Sequence, residues 1–341
     1  MSAFIPSHEF LPGCGIQHHA GKFQSTHSPN TIGEFVFGSV RSGKYQPQPP
    51  HPRMFVESTS AVEGEIESAQ SFISVGNPVE SIYSKGVNVG SKWEDEYATY
   101  CLLSGITSAD PAACRETQTK QVFSSIEAVL QTAGMEFNNV VRTWYYLDQL
   151  LDWYTDFNTV RNAFFEASGI YEKLIPASTG IGARNPAQSA IVISTLAIKP
   201  KGSNVKLVVV QSPMQCPAPN YKSSFSRAVE IQYPDRSALM ISGTASIAPN
   251  GDSVHDGNVA DQIDLTMRVV KALLESRNMS WQNTVRAIAY FTDIKDVSCF
   301  QTYCHRQGID HLPVAFVEAA VCRSDLLFEI ELDAASRIGA G

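Results

Sequence analysis

The sequence predicts an α+β protein built from two tandem copies of one domain. Three observations carry this. The chain has 341 residues, which suits two domains better than one. Its segments alternate between strand-like apolar runs and helical apolar spacing. Their order then repeats about 140 residues later, with Gly105 answered by Gly243, Arg142 by Arg286 and Pro176 by Pro313.

The elements follow in chain order. Residues 1–55 read as an irregular extension, because G-K-Y-Q-P-Q-P-P-H-P-R is rich in proline, which lacks the backbone donor of a helix or central strand. His18-His19 has no acidic or cysteine partner close by in sequence and does not read as a metal site. The first copy is expected over 56–203. It has short strand-like runs at 71–75 and 80–89, and a stronger strand at 97–106 ending in Ser104-Gly105. A helix is expected at 119–133, with Val122, Ile126, Val129 and Leu130 on one side and Gly134 as its stop. V-V-R-T-W-Y-Y-L at 140–147 is rich in β-formers. A second helix at 151–168 stops at Gly169, the glycines of 176–184 suggest a loop, and 190–198 is a strand. Residues 200–204 read as a linker. The second copy, 204–341, repeats the order: strand 238–246, helix 261–277, strand 284–291, helix 297–307 and the segment 313–332.

Composition narrows the function classes. Apolar residues make up 43% and charged residues 18%, enough for a sizeable core. The net charge of −8 disfavours broad binding to nucleic acid or anionic membrane. Seven scattered cysteines without a C-x-x-C pair suggest free thiols in a reducing cytoplasm rather than a disulfide framework or zinc site. No secretory signal or membrane span is expected.

The last strand is the most informative segment. Leu326, Phe328, Ile330 and Leu332 alternate with Leu327, Glu329, Glu331 and Asp333, so one face reads as core and the other carries carboxyl groups. From the pattern alone a solvated carboxyl face is the expected reading. If that face is apolar and enclosed instead, a carboxyl there can hold its proton near neutral pH, as a general acid must.

The S-G strand end, the long helix, V-V-R-T-W-Y-Y-L and F-E-I-E-L together resemble the YjgF/RidA-like (chorismate-mutase-like) fold. The resemblance implies a mixed sheet with two helices on one face in each copy. Single-copy relatives of that fold form trimers with sites between subunits. F-N-T-V-R with P-A-S-T-G-I-G, S-P-M-Q with F-S-R-A, and V-C-R-S-D-L-L-F-E-I-E are similar to the chorismatase family. That family removes pyruvate from chorismate by protonating its enolpyruvyl ether, without a cofactor. The arginine that follows the proline before the last strand in RidA imine deaminases is absent, since Pro176 and Pro313 precede Ala177 and Val314.

The family's catalytic glutamate lies seven residues after a cysteine, as Glu329 does after Cys322, so the resemblance selects Glu329 as the acid and leaves Glu331 as the alternative. Arg161 and Arg184 are the candidate carboxylate anchors, because a planar guanidinium binds a carboxylate with paired hydrogen bonds. Tyr146 is a candidate hydroxyl donor. Arg227 pairs either with substrate or with Glu331. Cys216 to Ser224 is shorter than in a typical chorismatase, which leaves the roles of Tyr221 and Ser224 open. Cys322 resembles members that form 3-hydroxybenzoate, and Ala245 those that yield a dihydroxycyclohexadiene carboxylate. The competing readings are an imine deaminase and a non-catalytic protein that binds an aromatic metabolite. Association into oligomers is left open.

Overall fold

The computed structural model describes residues 8–20, 30–39, 50–60, 66–221 and 223–338. Both expected copies are present. In the first, strands β6 (Glu80–Ser84), β7 (Val87–Glu94) and β8 (Ala98–Thr107) lead into helix α1 (Arg115–Thr132). Strand β9 (Val140–Leu147), helix α2 (Leu150–Ala167), strand β10 (Ala177–Gly182) and strand β11 (Ile191–Pro200) follow. The sheet order is β10-β9-β11-β8-β7-β6. The second copy runs β12 (Lys206–Val210), β13 (Ala228–Gln232), β14 (Arg236–Ala245), α3 (Val259–Glu275), β15 (Thr284–Phe291), α4 (Val297–Gln307), β16 (Val314–Glu318) and β17 (Phe328–Arg337). Its order is β12-β13-β14-β17-β15-β16, the same arrangement. In each sheet one adjacent pair is parallel, β9 with β10 and β15 with β16, and the other pairs are antiparallel.

Local chemistry accounts for the helix ends. The Asn258 side chain accepts from the Asp261 N–H at the start of α3, and Gly308 takes a left-handed conformation (φ 67°) at the end of α4. No helix is long and apolar enough to cross a membrane among the described residues. All seven cysteines are free.

Two expectations are corrected. The segment 1–55 is not irregular chain: its described residues hold β1 (His8–Leu11), β2 (Cys14–Ala20), β3 (Thr31–Gly38) and the start of β4 (Arg53–Glu57). With β5 (Ile66–Ser74) they form a third sheet, of order β1-β2-β5-β3-β4 and with β3 parallel to β4. That order matches β7-β8-β11-β9-β10 and β13-β14-β17-β15-β16 strand for strand. The prolines drew the reading towards irregular chain, whereas T-I-G-E-F-V-F-G at 31–38 carried the strand signal. Second, the glycine-rich 176–184 contains strand β10 rather than a loop. Its glycines allow close approach: a Cβ on Gly182 would lie 2.8 Å from the Ala320 Cβ.

The three sheets turn one face towards a shared interior. Phe35, Phe37 and Phe72 of the first sheet meet Trp144 and Tyr146 of the second and Val285 and Tyr290 of the third there. The helices of the two full copies cover the opposite faces, where Ile126, Phe157 and Ile193 pack in one core and Val270, Phe300 and Ile330 in the other. A charged cluster lies at the junction of the shared interior. There Glu331 accepts from Arg142 Nη2 (2.9 Å), Trp144 Nε1 (2.9 Å) and Arg286 Nη2. Arg286 also donates from Nη1 to Asp333 (2.6 Å) and from Nε to Gln70 Oε1 of the first sheet (2.9 Å). One polar cluster thus ties all three sheets together. Both guanidiniums and the Glu331 carboxylate are fully buried.

Glu331→Gln strips the countercharge from buried Arg142 and leaves Arg286 with Asp333 alone. Removing one partner of a buried pair costs about 3–5 kcal/mol. Equilibrium urea unfolding should show that loss in full, and a change within the measurement error would mean that the cluster does not hold the sheets together.

Candidate active site

The carboxyl face of β17 is not solvated. Glu329 is 4% exposed, Glu331 0% and Asp333 1%, because this face looks into the protein while Phe328, Ile330 and Leu332 pack under the helices of their own copy. Glu329 borders a cavity of about 220 Å³. Gly243 leaves room for the carboxyl, since an added Cβ there would collide with Glu329 Oε1. The repeated Ser-Gly strand end thus seats the carboxyl in the second copy. In the first copy a Cβ on Gly105 would lie 2.4 Å from the Arg53 carbonyl of β4 instead.

Glu329 and Glu331 sit two residues apart on one face and are driven to opposite states. For Glu331, burial favours the neutral form, but the charges of Arg286 and Arg142 outweigh it and hold the carboxyl below the usual range. Glu329 accepts no hydrogen bond from the described residues. Burial first, and then the nearby charge of Glu331, push its carboxyl up to about 8, against the weaker opposite pull of Arg142 and Arg227. A carboxyl in that state holds its proton at neutral pH and can give it up once. Cys322 also lines the cavity, and its thiol is pushed up to about 12 by burial and the charge of Glu329, so it is no thiolate nucleophile.

The first copy supplies the facing wall. Arg161 of α2 is 1% exposed and lines the cavity. Its Nη2 donates to Asn158 Oδ1 (2.6 Å), its Nε is buried without a partner, and no carboxylate pairs with it among the described residues. The guanidinium lies over the rings of Phe157 (5.2 Å to the centroid) and Tyr145 (5.7 Å). A buried cation without a countercharge is a prepared seat for an anion. Arg227, from the second copy, also lines the cavity and donates from Nε and Nη2 to the Cys216 carbonyl (3.0 and 2.8 Å). The expected pairing of Arg227 with Glu331 does not form. Ala245, Ile247, Leu326 and Cys322 make the apolar end.

The cavity lies across the two copies because β10 docks on the second copy. The Ser178 N–H donates to Ser242 Oγ (2.8 Å), the Gly182 N–H to the Ala320 carbonyl (2.8 Å), and the Gly243 N–H to Thr179 Oγ1 (3.1 Å).

Of the residues expected at the site, Glu329, Arg161, Arg227, Cys322 and Ala245 come together around this cavity. The others do not. Arg184 turns to the first sheet, where its Nε meets Glu57 at 2.5 Å. Tyr146 is buried against its repeat counterpart, with its hydroxyl 2.7 Å from that of Tyr290. Ser224 bonds to Asn162 Oδ1 (2.8 Å) and to the Tyr171 hydroxyl, off the cavity, while its neighbours Ser223 and Phe225 line it. The side chain of Tyr221 lies outside the described residues. Glu331 is the structural anion described above. His18 places its ring between the Val285 carbonyl (3.2 Å) and Gln70 (3.3 Å). Sequence reasoning missed Arg323, which sits beside Cys322 in the same motif and contributes a third guanidinium to the lining.

Comparison with known proteins adds the family context. The Endoribonuclease L-PSP family model matches residues 102–205 and 217–336, one match in each full copy. A chorismatase from Streptomyces rapamycinicus is 26% identical over 254 residues, which is 67% of this chain and 73% of that protein. A 3-hydroxybenzoate synthase from Streptomyces hygroscopicus is also 26% identical, over 65% of this chain and 70% of its own length. The crystal structure of a chorismatase superposes with a TM-score of 0.74 at 19% identity, covering 94% of this chain and 98% of that one, and so shares its fold.

The raised Glu329 pKa has a consequence for stability. Between its ordinary value of 4.5 and about 8 the folded state binds this proton more tightly than the unfolded chain, so its contribution to stability falls as pH rises across that window. Glu329→Gln removes the titration. The difference in melting temperature, variant minus native, should therefore grow from pH 5 to pH 8. A difference that stays constant with pH would show that Glu329 is not protonated in the folded protein.

Proposed function

The chain belongs to the Endoribonuclease L-PSP family, as a tandem, chorismatase-like member, and from that premise we propose that it releases pyruvate from chorismate at the cavity between its two full copies. The observation that carries this reading is Glu329: a buried carboxyl with no hydrogen-bonding partner among the described residues and a pKa near 8, facing a cavity lined by guanidiniums. Chorismate is a small dianion, and its chemistry asks for those two things together. Arg161 binds one carboxylate and Arg227 the other. Glu329 donates its proton to the terminal methylene of the enolpyruvyl ether, which becomes a methyl group and leaves an oxocarbenium ion. The carboxylate formed on Glu329 is then attracted by that cation and by Arg142 and Arg227.

Two routes lead on. Water can add to the oxocarbenium carbon, and the hemiketal collapses to pyruvate and a dihydroxycyclohexadiene carboxylate. Alternatively the ring hydroxyl displaces pyruvate from the neighbouring ring carbon, with the electrons of the breaking C–O bond completing the pyruvate carbonyl, and the ring rearranges to 3-hydroxybenzoate. The first route consumes one water and the second consumes none. Ala245, Ile247, Leu326 and Cys322 offer water few polar contacts at their end of the cavity, which favours 3-hydroxybenzoate as the main product.

Incubation with chorismate should release pyruvate, followed by a coupled lactate dehydrogenase assay, with aromatic products resolved by chromatography. Glu329→Gln should lower kcat/KM by about 10² or more, the range that general acid catalysis contributes. In the native chain kcat/KM should be level at lower pH and fall as pH rises through about 8, since the protonated form is the active one. If folded protein releases no pyruvate, the reading is wrong. Arg161→Ala should raise KM for chorismate far more than Arg184→Ala, since Arg184 pairs with Glu57 and is not part of the cavity lining. Equal effects of the two would remove Arg161 from the anion seat.

A further inference from the structure

We propose that the turn Ser212–Cys216 is a clamp that sets both walls of the cavity, and that Gln215 within it is a positioning residue that decides how much water reaches the reacting ether. The inference rests on the chorismate reading above for its product assay but not for its structural arm. The S-P-M-Q segment drew attention in the sequence, yet none of its residues lines the cavity. It acts through what it holds. Ser212 Oγ accepts from the N–H groups of Met214 and Gln215 (both 3.2 Å), which fixes the turn. Gln215 is 5% exposed, and its side-chain Nε2 donates to the carbonyls of Ala245 (3.1 Å) and Ile247 (3.0 Å). Both neighbours are acceptors, so only the NH₂ end of the amide can face them. The next residue, Cys216, presents its carbonyl to Nε and Nη2 of Arg227 (3.0 and 2.8 Å).

Three residues of the lining are therefore placed by two successive positions of one turn. Ala245 and Ile247 lie where β14 ends and its ladder with β17 stops at the Ala245–Glu329 pair. Beyond that point the Ile247 backbone is no longer held by the ladder. An isolated bridge to Ser253 and the two donor hydrogens of Gln215 hold it instead, and the apolar end stays shut beside Cys322 and Leu326. On the other side, the two bonds to Cys216 orient the Arg227 guanidinium in its plane. Loss of the Gln215 donors would leave the 245–247 wall held from the Ser253 side alone, loosen it on the side of the turn and let water compete with the ring hydroxyl.

Gln215→Met keeps the length and volume of the side chain and removes both donors. With chorismate, the ratio of dihydroxycyclohexadiene carboxylate to 3-hydroxybenzoate should rise about tenfold over the native chain, as expected for two hydrogen bonds of ordinary strength. An unchanged product ratio, whatever the total rate, overturns the specificity role. The second arm needs no substrate. Alkylation of Cys322 by iodoacetamide, read by peptide mass spectrometry, should be faster in Gln215→Met, while that of the exposed Cys114 stays the same. Equal Cys322 rates overturn the clamp itself. If the native chain does not turn over chorismate, the functional reading falls, and the alkylation rates still decide the clamp. Ser212→Ala, which loosens the same turn without touching the interior amide, serves if Gln215→Met does not fold.

Discussion

The structure depends on one carboxylate shared between two guanidiniums. Glu331 lies where three sheets meet and receives Arg142 from one full copy and Arg286 from the other, with Trp144 Nε1 as a further donor. Gln70 brings the first sheet into the same cluster through Arg286. An ion cluster with no solvent exposure has little tolerance for displacement, since each charge depends on its partners for the hydration it has lost. The cluster therefore fixes not only that the sheets pack but where each stands. A neutral core could slide by a fraction of a side chain, whereas this one has a defined register.

The candidate acid follows from that arrangement. With Glu331 committed to the anionic state, the next inward position on the same strand feels both burial and a neighbouring negative charge, and the two effects act in the same direction on Glu329. The guanidiniums that would counter them are engaged elsewhere: Arg286 by Glu331 and Asp333, Arg142 by Glu331 and Thr179. Two glutamates with almost the same sequence context are thus separated into a structural anion and a proton-holding group by a shift of two residues.

The repeat explains why there is one such place and not two. In strand pairing, Tyr290 stands opposite Glu329 and Ile288 opposite Glu331. The matching partners in the first copy are Tyr146 opposite Val192 and Trp144 opposite Ser194. The first copy has no carboxyl at either position, so its sheet contributes a wall, an arginine and a docking strand rather than a second acid. The copies have kept one fold and divided its tasks. The first sheet repeats the strand order again and lends its inner face to the common core.

Much of this was legible in the chain. Period-two and helical spacing placed both full copies, because those patterns follow from local geometry, and the repeat of Gly105, Arg142 and Pro176 marked the duplication. The sheet of β1 to β5 was obscured, since its strands are separated by proline-rich chain, and their pairing is with distant residues such as Ile73 and Ser71. Arg184, Tyr146 and Ser224 looked as suitable for a site as Arg161 does, because a residue type carries no information on which way a side chain points across an interface formed between copies. By itself the sequence determined the main strands and long helices of the two full copies, their duplication and the placing of carboxyls on alternate positions of the last strand. Only the tertiary structure decided that this strand faces inward, that Glu331 is neutralised by two arginines while Glu329 is left to desolvation, and which guanidiniums share the cavity. Charge states and shared walls depend on distances through space, and those are set by packing between segments far apart in the chain.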